Sequence, residues 1–387
     1  MKLKPAKRMN EIPPSSTFKV LGLAKELERQ GKDIIHMAVG EPDFDTPVHI
    51  KRAAEEALAR GMTKYTPSAG LPELREAITE HLATKGITTT TKNVIVTPGA
   101  KHAIFCAMAA ALDPGDEVII PSPCWTYEPM VRVVGAKPVF VEASQADEFK
   151  VKAEKVQNAV TKKTKMMVIN YPNNPTGAVM QQGDLQPIVD IAIDHDLWVL
   201  SDEIYDCLVY EGKHVSVLSL PNIAERTIYI NGFSKAYAMT GWRLGYGVAP
   251  VELIAEINKV QQASTSCVAG FVQAAGVAAL RGPQDSVGKM RDEYRKRRDT
   301  IVKGLNSIGG FECTKPAGAF YAFPSIKELG VSSLNLCEFL LREAGVAAVQ
   351  GSGFGPYGEG HVRFSYATSL ENIKKAIDRT KEAVKNL

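Results

Sequence analysis

The chain has 387 residues, 45% hydrophobic and 23% charged, which sets a soft expectation of about two to three domains. That composition excludes disorder, collagen and a continuous coiled coil as descriptions of the whole chain. Lys+Arg at 46 against Asp+Glu at 43 leaves a net charge of +3, too balanced for the dense basic surface that nucleic-acid binding uses.

The first 40 residues are expected to pack with a C-terminal unit. From 41 to 283, short apolar runs alternate with amphipathic stretches. Strand candidates fall at 94–97, 117–121, 138–141, 166–170, 197–201, 227–230 and 244–248, with helices at 101–112, 183–195 and after Pro250. Continuous apolar strands are covered on both faces, so this alternation predicts an α/β layer with a mostly parallel sheet. From 284 to 387 the pattern changes. A long charged helix (284–308) stops at Gly309-Gly310, strands are expected at 318–324, 346–349 and 362–366, and helices at 332–344 and 369–387. This reads as a smaller α+β domain.

Several features are read as ordinary. No apolar run reaches the roughly 20 residues of a membrane span, and the basic Met1–Arg8 stretch has no apolar run behind it, so neither a membrane partner nor a secretory signal is expected. The six cysteines form no Cys-x-x-Cys pair and predict free thiols in a reducing cytoplasm, with no metal site. Arg291, Arg295, Lys296, Arg297 and Arg298 interleave with Asp292, Glu293 and Asp299, which predicts a solvated, ion-paired helix face. Gly353-x-Gly355-x-x-Gly358 has the dinucleotide spacing, but only one strand and one helix are expected after it, so it reads as a loop.

Two other segments carry chemistry. Thr97-Pro98-Gly99-Ala100-Lys101 joins a strand to a helix, where free N–H groups and the helix dipole favour an anion. Ser234-Lys235-Ala-Tyr-Ala-Met-Thr-Gly-Trp-Arg243 follows an apolar strand. A lysine amine forms a Schiff base with an aldehyde when its charge is suppressed, and a nearby arginine and serine suit a phosphate dianion. An aldehyde with a phosphate describes pyridoxal phosphate.

These strings resemble the class I aminotransferases of the fold-type-I, pyridoxal-phosphate-dependent family, closest to the branch of bacterial and archaeal aspartate and aromatic aminotransferases. The likeness runs from Gly40-Glu-Pro-Asp-Phe-Asp-Thr-Pro47 to Val362-Arg363-Phe-Ser-Tyr-Ala367. It implies a large domain with a seven-stranded, mostly parallel sheet between helices, plus the smaller α+β domain. It also implies a homodimer with shared active sites and ping-pong transfer of an amino group from an amino acid to a 2-oxo acid.

Residue by residue, the resemblance makes Lys235 the lysine that bonds the cofactor and moves the substrate's proton. Asp202, in Ser201-Asp-Glu-Ile-Tyr205, pairs with the pyridine nitrogen. Tyr205 and Asn174 share the ring's phenolic oxygen, and the Asn174–Pro175 bond is expected to be cis. Trp125 stacks on the ring. Gly99, Ala100 and Lys101 cup the phosphate through their N–H groups, helped by Ser234, Arg243 and Tyr65 of the neighbouring subunit. Some relatives carry the phosphate-binding serine where Gly232 stands here, so that contact moves to Ser234. Arg363, with Gly40, Asn174 and Trp125, meets the substrate α-carboxylate end. Lys101, Ser15 and Thr17 match positions that read a distal carboxylate, which favours aspartate with 2-oxoglutarate as acceptor. Aromatic, prephenate, kynurenine or alanine substrates remain alternatives, as does a C–S lyase using the same cofactor residues. A transcription regulator on this scaffold is disfavoured, because the roughly 40 residues before Gly40 do not read as a DNA-binding module.

Overall fold

The computed structural model describes residues 4–12 and 16–387. After a two-residue strand β1 (Ile35–His36) come the seven strands of the main sheet. These are β2 (Val94–Thr97), β3 (Glu117–Ser122), β4 (Lys137–Glu142), β5 (Thr164–Asn170), β6 (Trp198–Asp202), β7 (Thr227–Gly232) and β8 (Gly245–Val248). Their order is β2-β8-β7-β6-β5-β3-β4. Only β8 runs antiparallel to its neighbours β2 and β7. The other pairs are parallel, so the expected fold class holds.

Both faces of the sheet are covered. Along β5, Met166 and Val168 face one core while Met167 and Ile169 face another, the two-residue period of a strand. The first core holds helices α4 (Ala100–Ala111), α5 (Glu128–Val133) and α8 (Val251–Ser264) through Ile104, Met108, Val131, Leu253 and Ile257. The second holds α1 (Ser16–Arg29), α6 (Ala153–Ala159) and α7 (Gln182–Asp194) through Leu27, Val156, Leu185, Ile188 and Val189. Each such aliphatic side chain, once fully buried, stabilises the layer by about 1.5–3 kcal/mol. A third cluster packs α2 (Val48–Ala59), α3 (Pro72–Thr84) and α9 (Gly270–Arg281) on β2 and β8. No strand separates α2 from α3, so strand-helix alternation does not reveal them.

The C-terminal third contains α10 (Asp285–Leu305), β9 (Tyr321–Ala322), α11 (Ser333–Phe339), β10 (Val346–Ala347), β11 (Val349–Gln350), β12 (Val362–Ser365) and α12 (Leu370–Val384). The strand expected at 346–349 is two strands. The backbone changes partner at Ala348, because β10 pairs with β1 while β11 pairs with β12. The strand expected at 318–324 is reduced to β9, which pairs with β12. Gly351–Phe354 and Pro356–Gly358 form short 3-10 turns before β12, with no helix opening there. The solvated face expected on α10 is corrected for two of its arginines. Arg297 and Arg298 are buried, Arg297 on Asp43 at 2.7 Å and Arg298 beside Glu211 at 3.2 Å. A buried guanidinium needs such partners to offset its lost hydration.

Candidate active site

The strand ends converge. Thr97 at the end of β2 leads to Gly99, Ser122 at the end of β3 leads to Trp125, and Asn170 and Asp202 close β5 and β6. Gly232 closes β7 just before Ser234 and Lys235. Ligands of open α/β sheets bind at such carboxyl ends. Here they border a cavity of about 350 Å³ lined by Gly40, Ala100, Lys101, Trp125, Asn174, Asp202, Tyr205, Ser234, Lys235, Arg243 and Arg363. Residues far apart in sequence thus line one cavity, and the Asn174–Pro175 peptide is cis.

The Lys235 amine donates to the Gly40 carbonyl at 2.5 Å. Burial, with Arg363 and Arg243 nearby, lowers its pKa to about 8 against the opposing pull of Glu41 and Asp202. A neutral amine is therefore accessible near neutral pH, as a nucleophile or base requires.

Asp202 accepts from the Tyr127 hydroxyl at 2.7 Å and from the Ile204 N–H at 3.3 Å. Burial pushes its carboxyl up to about 6, and those two hydrogen bonds hold it from rising further. Asn170 ties the neighbouring strand end to it by donating to the Asp202 carbonyl at 2.9 Å.

Arg363, on β12, donates to Asn174 Oδ1 at 2.9 Å and to the Ala38 carbonyl. Its Nε is buried without a hydrogen-bond partner, and its guanidinium lies 4.5 Å from the centre of the Tyr321 ring. An arginine held this way keeps a planar fork suited to a carboxylate. Tyr205 and Tyr321 share a hydroxyl–hydroxyl hydrogen bond of 2.7 Å.

At the other junction, Gly99 has φ +86° and caps α4. A Cβ there would stand 2.5 Å from Arg243 Nη2. Arg243 itself has φ +54°, an uncommon conformation for a residue other than glycine. The start of α4 and the Arg243 guanidinium thus meet beside Gly99, where only glycine leaves room, and free N–H groups at a helix N-terminus together with a guanidinium suit a phosphate dianion. Lys101 Nζ lies 4.8 Å from the centre of the Trp125 ring, and burial with the Arg243 charge lowers its pKa. A flat platform, a half-buried amine, a carboxylate and an anion cradle in one cavity fit a planar, phosphorylated aldehyde such as pyridoxal phosphate.

Tyr65 does not line this cavity. It is 91% exposed on the surface. Ser15 and the side chain of Thr17 lie outside the described residues. Sequence reasoning missed Glu41, Tyr127, Tyr321 and Phe354. Glu41 accepts from Thr240 and, like Tyr321 and Phe354, lines the cavity. The Gly-Glu-Pro and Gly-Ala-Phe-Tyr strings around Glu41 and Tyr321 were the available signals.

Comparison with known proteins follows the same direction. The family model for aminotransferase class I and II matches residues 32–379. The chain is 44% identical over 384 residues to an aspartate aminotransferase of Pyrococcus abyssi, covering 98% of this chain and 97% of that one. It is equally identical, with the same coverage, to aromatic-amino-acid aminotransferase 2 of Thermococcus litoralis. The solved structure of Thermus thermophilus aspartate aminotransferase with maleate superposes with a TM-score of 0.94 at 42% identity, covering 99% of this chain and 100% of that one. Fold, cavity and full-length likeness agree, and the chain belongs to the class I and II aminotransferases.

Proposed function

We propose that this aminotransferase uses pyridoxal phosphate to move the amino group of L-aspartate to 2-oxoglutarate. The observation that carries this is the convergence of Lys235, Asp202 and Arg363 on one cavity that also holds Lys101. When bound, pyridoxal phosphate supplies an aldehyde that accepts the amino group and a ring that draws electrons from the substrate Cα.

The chain's residues supply the rest. Arg363 binds the substrate α-carboxylate and, with Asn174 and Gly40, fixes the Cα beside Lys235. The Lys235 amine takes the Cα proton and later returns one, as base and then acid. Asp202 holds a proton on the pyridine nitrogen by opposite charge. Tyr205 and Asn174 hydrogen-bond the ring's phenolic oxygen. Trp125 stacks on the ring, and the N–H groups of Gly99, Ala100 and Lys101 with Ser234 and Arg243 hold the phosphate. The Lys101 ammonium, together with Ser15 and Thr17, reads the distal carboxylate.

The same reading makes the protein a cytoplasmic homodimer, with 1–40 and 284–387 forming a small unit against a large one at 41–283. Exposed Tyr65, Val48 and Leu58 suit a partner's surface, and six free cysteines suit a reducing compartment.

A second reading is supported by the aromatic and apolar lining of Trp125, Tyr321, Phe354 and Ile104. With the Thermococcus litoralis relative, it favours aromatic amino acids. The test is a single-turnover titration of the purified holoenzyme with L-aspartate and L-phenylalanine, following loss of the cofactor's visible band and its return with 2-oxoglutarate. Aspartate should react faster. Lys101→Ala should cut kcat/KM for aspartate about tenfold or more, the scale of one lost charge-assisted hydrogen bond, and leave phenylalanine nearly unchanged. Equal losses on both would remove the distal role of Lys101. Reaction with phenylalanine alone would establish the second reading.

A further inference from the structure

Tyr127 lies outside the cavity lining, yet it touches two of the residues that define the site. Its side chain is fully buried. The hydroxyl donates to Asp202 Oδ2 at 2.7 Å. Its ring meets the Trp125 ring edge-on at 5.1 Å between centres, and its N–H donates to the Trp125 carbonyl at 2.8 Å. The hydroxyl bridges 75 positions of chain, from the segment that follows β3 to the end of β6.

We propose that Tyr127 is a positioning residue that sets the ionisation and orientation of Asp202 while bracing Trp125, so that one side chain holds both the carboxylate and the platform. The inference rests on the role proposed above for Asp202.

The carboxylate has few other supports. From its own turn it receives the Ile204 N–H and the repulsion of Glu203. Lys235, from the turn after β7, attracts it, and the Tyr205 hydroxyl stands nearby. The Asn170 amide from β5 bonds the Asp202 backbone carbonyl and leaves the carboxylate alone. Burial is the largest influence, and it favours the neutral acid. Tyr127 is the strongest opposing contact, since a hydroxyl donating to a carboxylate makes a short, charge-assisted bond. It also fixes one oxygen and thereby the plane of the carboxyl group. A neutral or rotated Asp202 could not hold a proton on a pyridine nitrogen.

Tyr127→Phe keeps the ring against Trp125 and removes only the hydroxyl. Combined with Asp202→Asn, it forms a double-mutant cycle. The readouts are the Kd of the cofactor-free protein for pyridoxal phosphate and the acid limb of kcat/KM in the holoenzyme, with circular dichroism confirming the fold. Tyr127→Phe should raise the Kd about tenfold and move the acid limb up by roughly one pH unit, as loss of one charge-assisted bond to the ionised form requires. KM for the amino acid should change little. In the Asp202→Asn background the same substitution should change Kd less than about twofold. Tyr127→His keeps a ring and an N–H donor and should recover part of the affinity.

Losses that multiply in the double variant would overturn the inference, as would a His variant no better than Phe. A costly Asp202→Asn beside a silent Tyr127→Phe would overturn this inference alone. A silent Asp202→Asn would remove the proposed role of Asp202 as well.

Discussion

At Lys235, burial works against charge. The amine's pKa falls from an ordinary 10.5 to about 8 in the folded chain, so the unfolded chain binds that proton more tightly. Below about pH 8 the cofactor-free fold therefore carries the full cost of an enclosed ammonium. Stability is regained between about pH 8 and 10.5, where only the unfolded chain is protonated. Lys235→Met should then abolish transamination and yet stabilise the cofactor-free protein at pH 7, by roughly 1–3 kcal/mol. Thermal unfolding at pH 7 and pH 10 measures this: the gain should shrink at the higher pH, and a variant less stable at pH 7 would refute the argument. Lys235 was legible in the sequence because its partners stand in one short string with Arg243. Tyr127 and Tyr321 were not, because their hydroxyls act across 75 and 116 positions. Such contacts exist only once β3, β6 and β9 have been placed.

The strands β2 to β8 were legible as elements because each is a short apolar run with both faces covered, and observed bounds differ from the expected ones by only a residue or two. The C-terminal strands were harder. Two-residue strands such as β10 and β11 carry no periodicity, and their separation at Ala348 is a matter of which neighbour each half meets. The junction of β2 and α4 shows how an element end makes a site. Gly99 is the one residue type that fits its φ of +86° and leaves Arg243 room. Gly99→Ala should therefore displace the Arg243 guanidinium and weaken pyridoxal phosphate binding by at least about tenfold, since both a strained backbone and a charge-assisted contact are involved. Pyridoxal, which lacks the phosphate, should lose far less affinity. Fluorescence titration of the cofactor-free protein with both compounds decides it: equal losses would mean that the junction does not hold the phosphate.

On the scale of the whole molecule, Tyr65 is the outlier. A tyrosine 91% exposed leaves its apolar body in water, and it follows the also exposed Val48 and Leu58 in sequence. In the homodimer proposed above, a second copy would cover this face, because a two-fold interface buries the same patch on both chains. If Tyr65 of one chain completes the phosphate site of the other, each active site needs an intact Tyr65 and an intact Lys235 from different subunits. Tyr65→Ala and Lys235→Ala homodimers should both be impaired. Mixed after reversible dissociation, they should form heterodimers in which one site has both defects and the other has neither. Random re-pairing then restores up to about a quarter of the wild-type sites. Sedimentation confirms re-pairing, and single-turnover amplitude counts the competent sites. Re-paired dimers with no recovered amplitude would place Tyr65 and Lys235 in the same subunit's site, and a fully active Tyr65→Ala homodimer would place Tyr65 in no site at all.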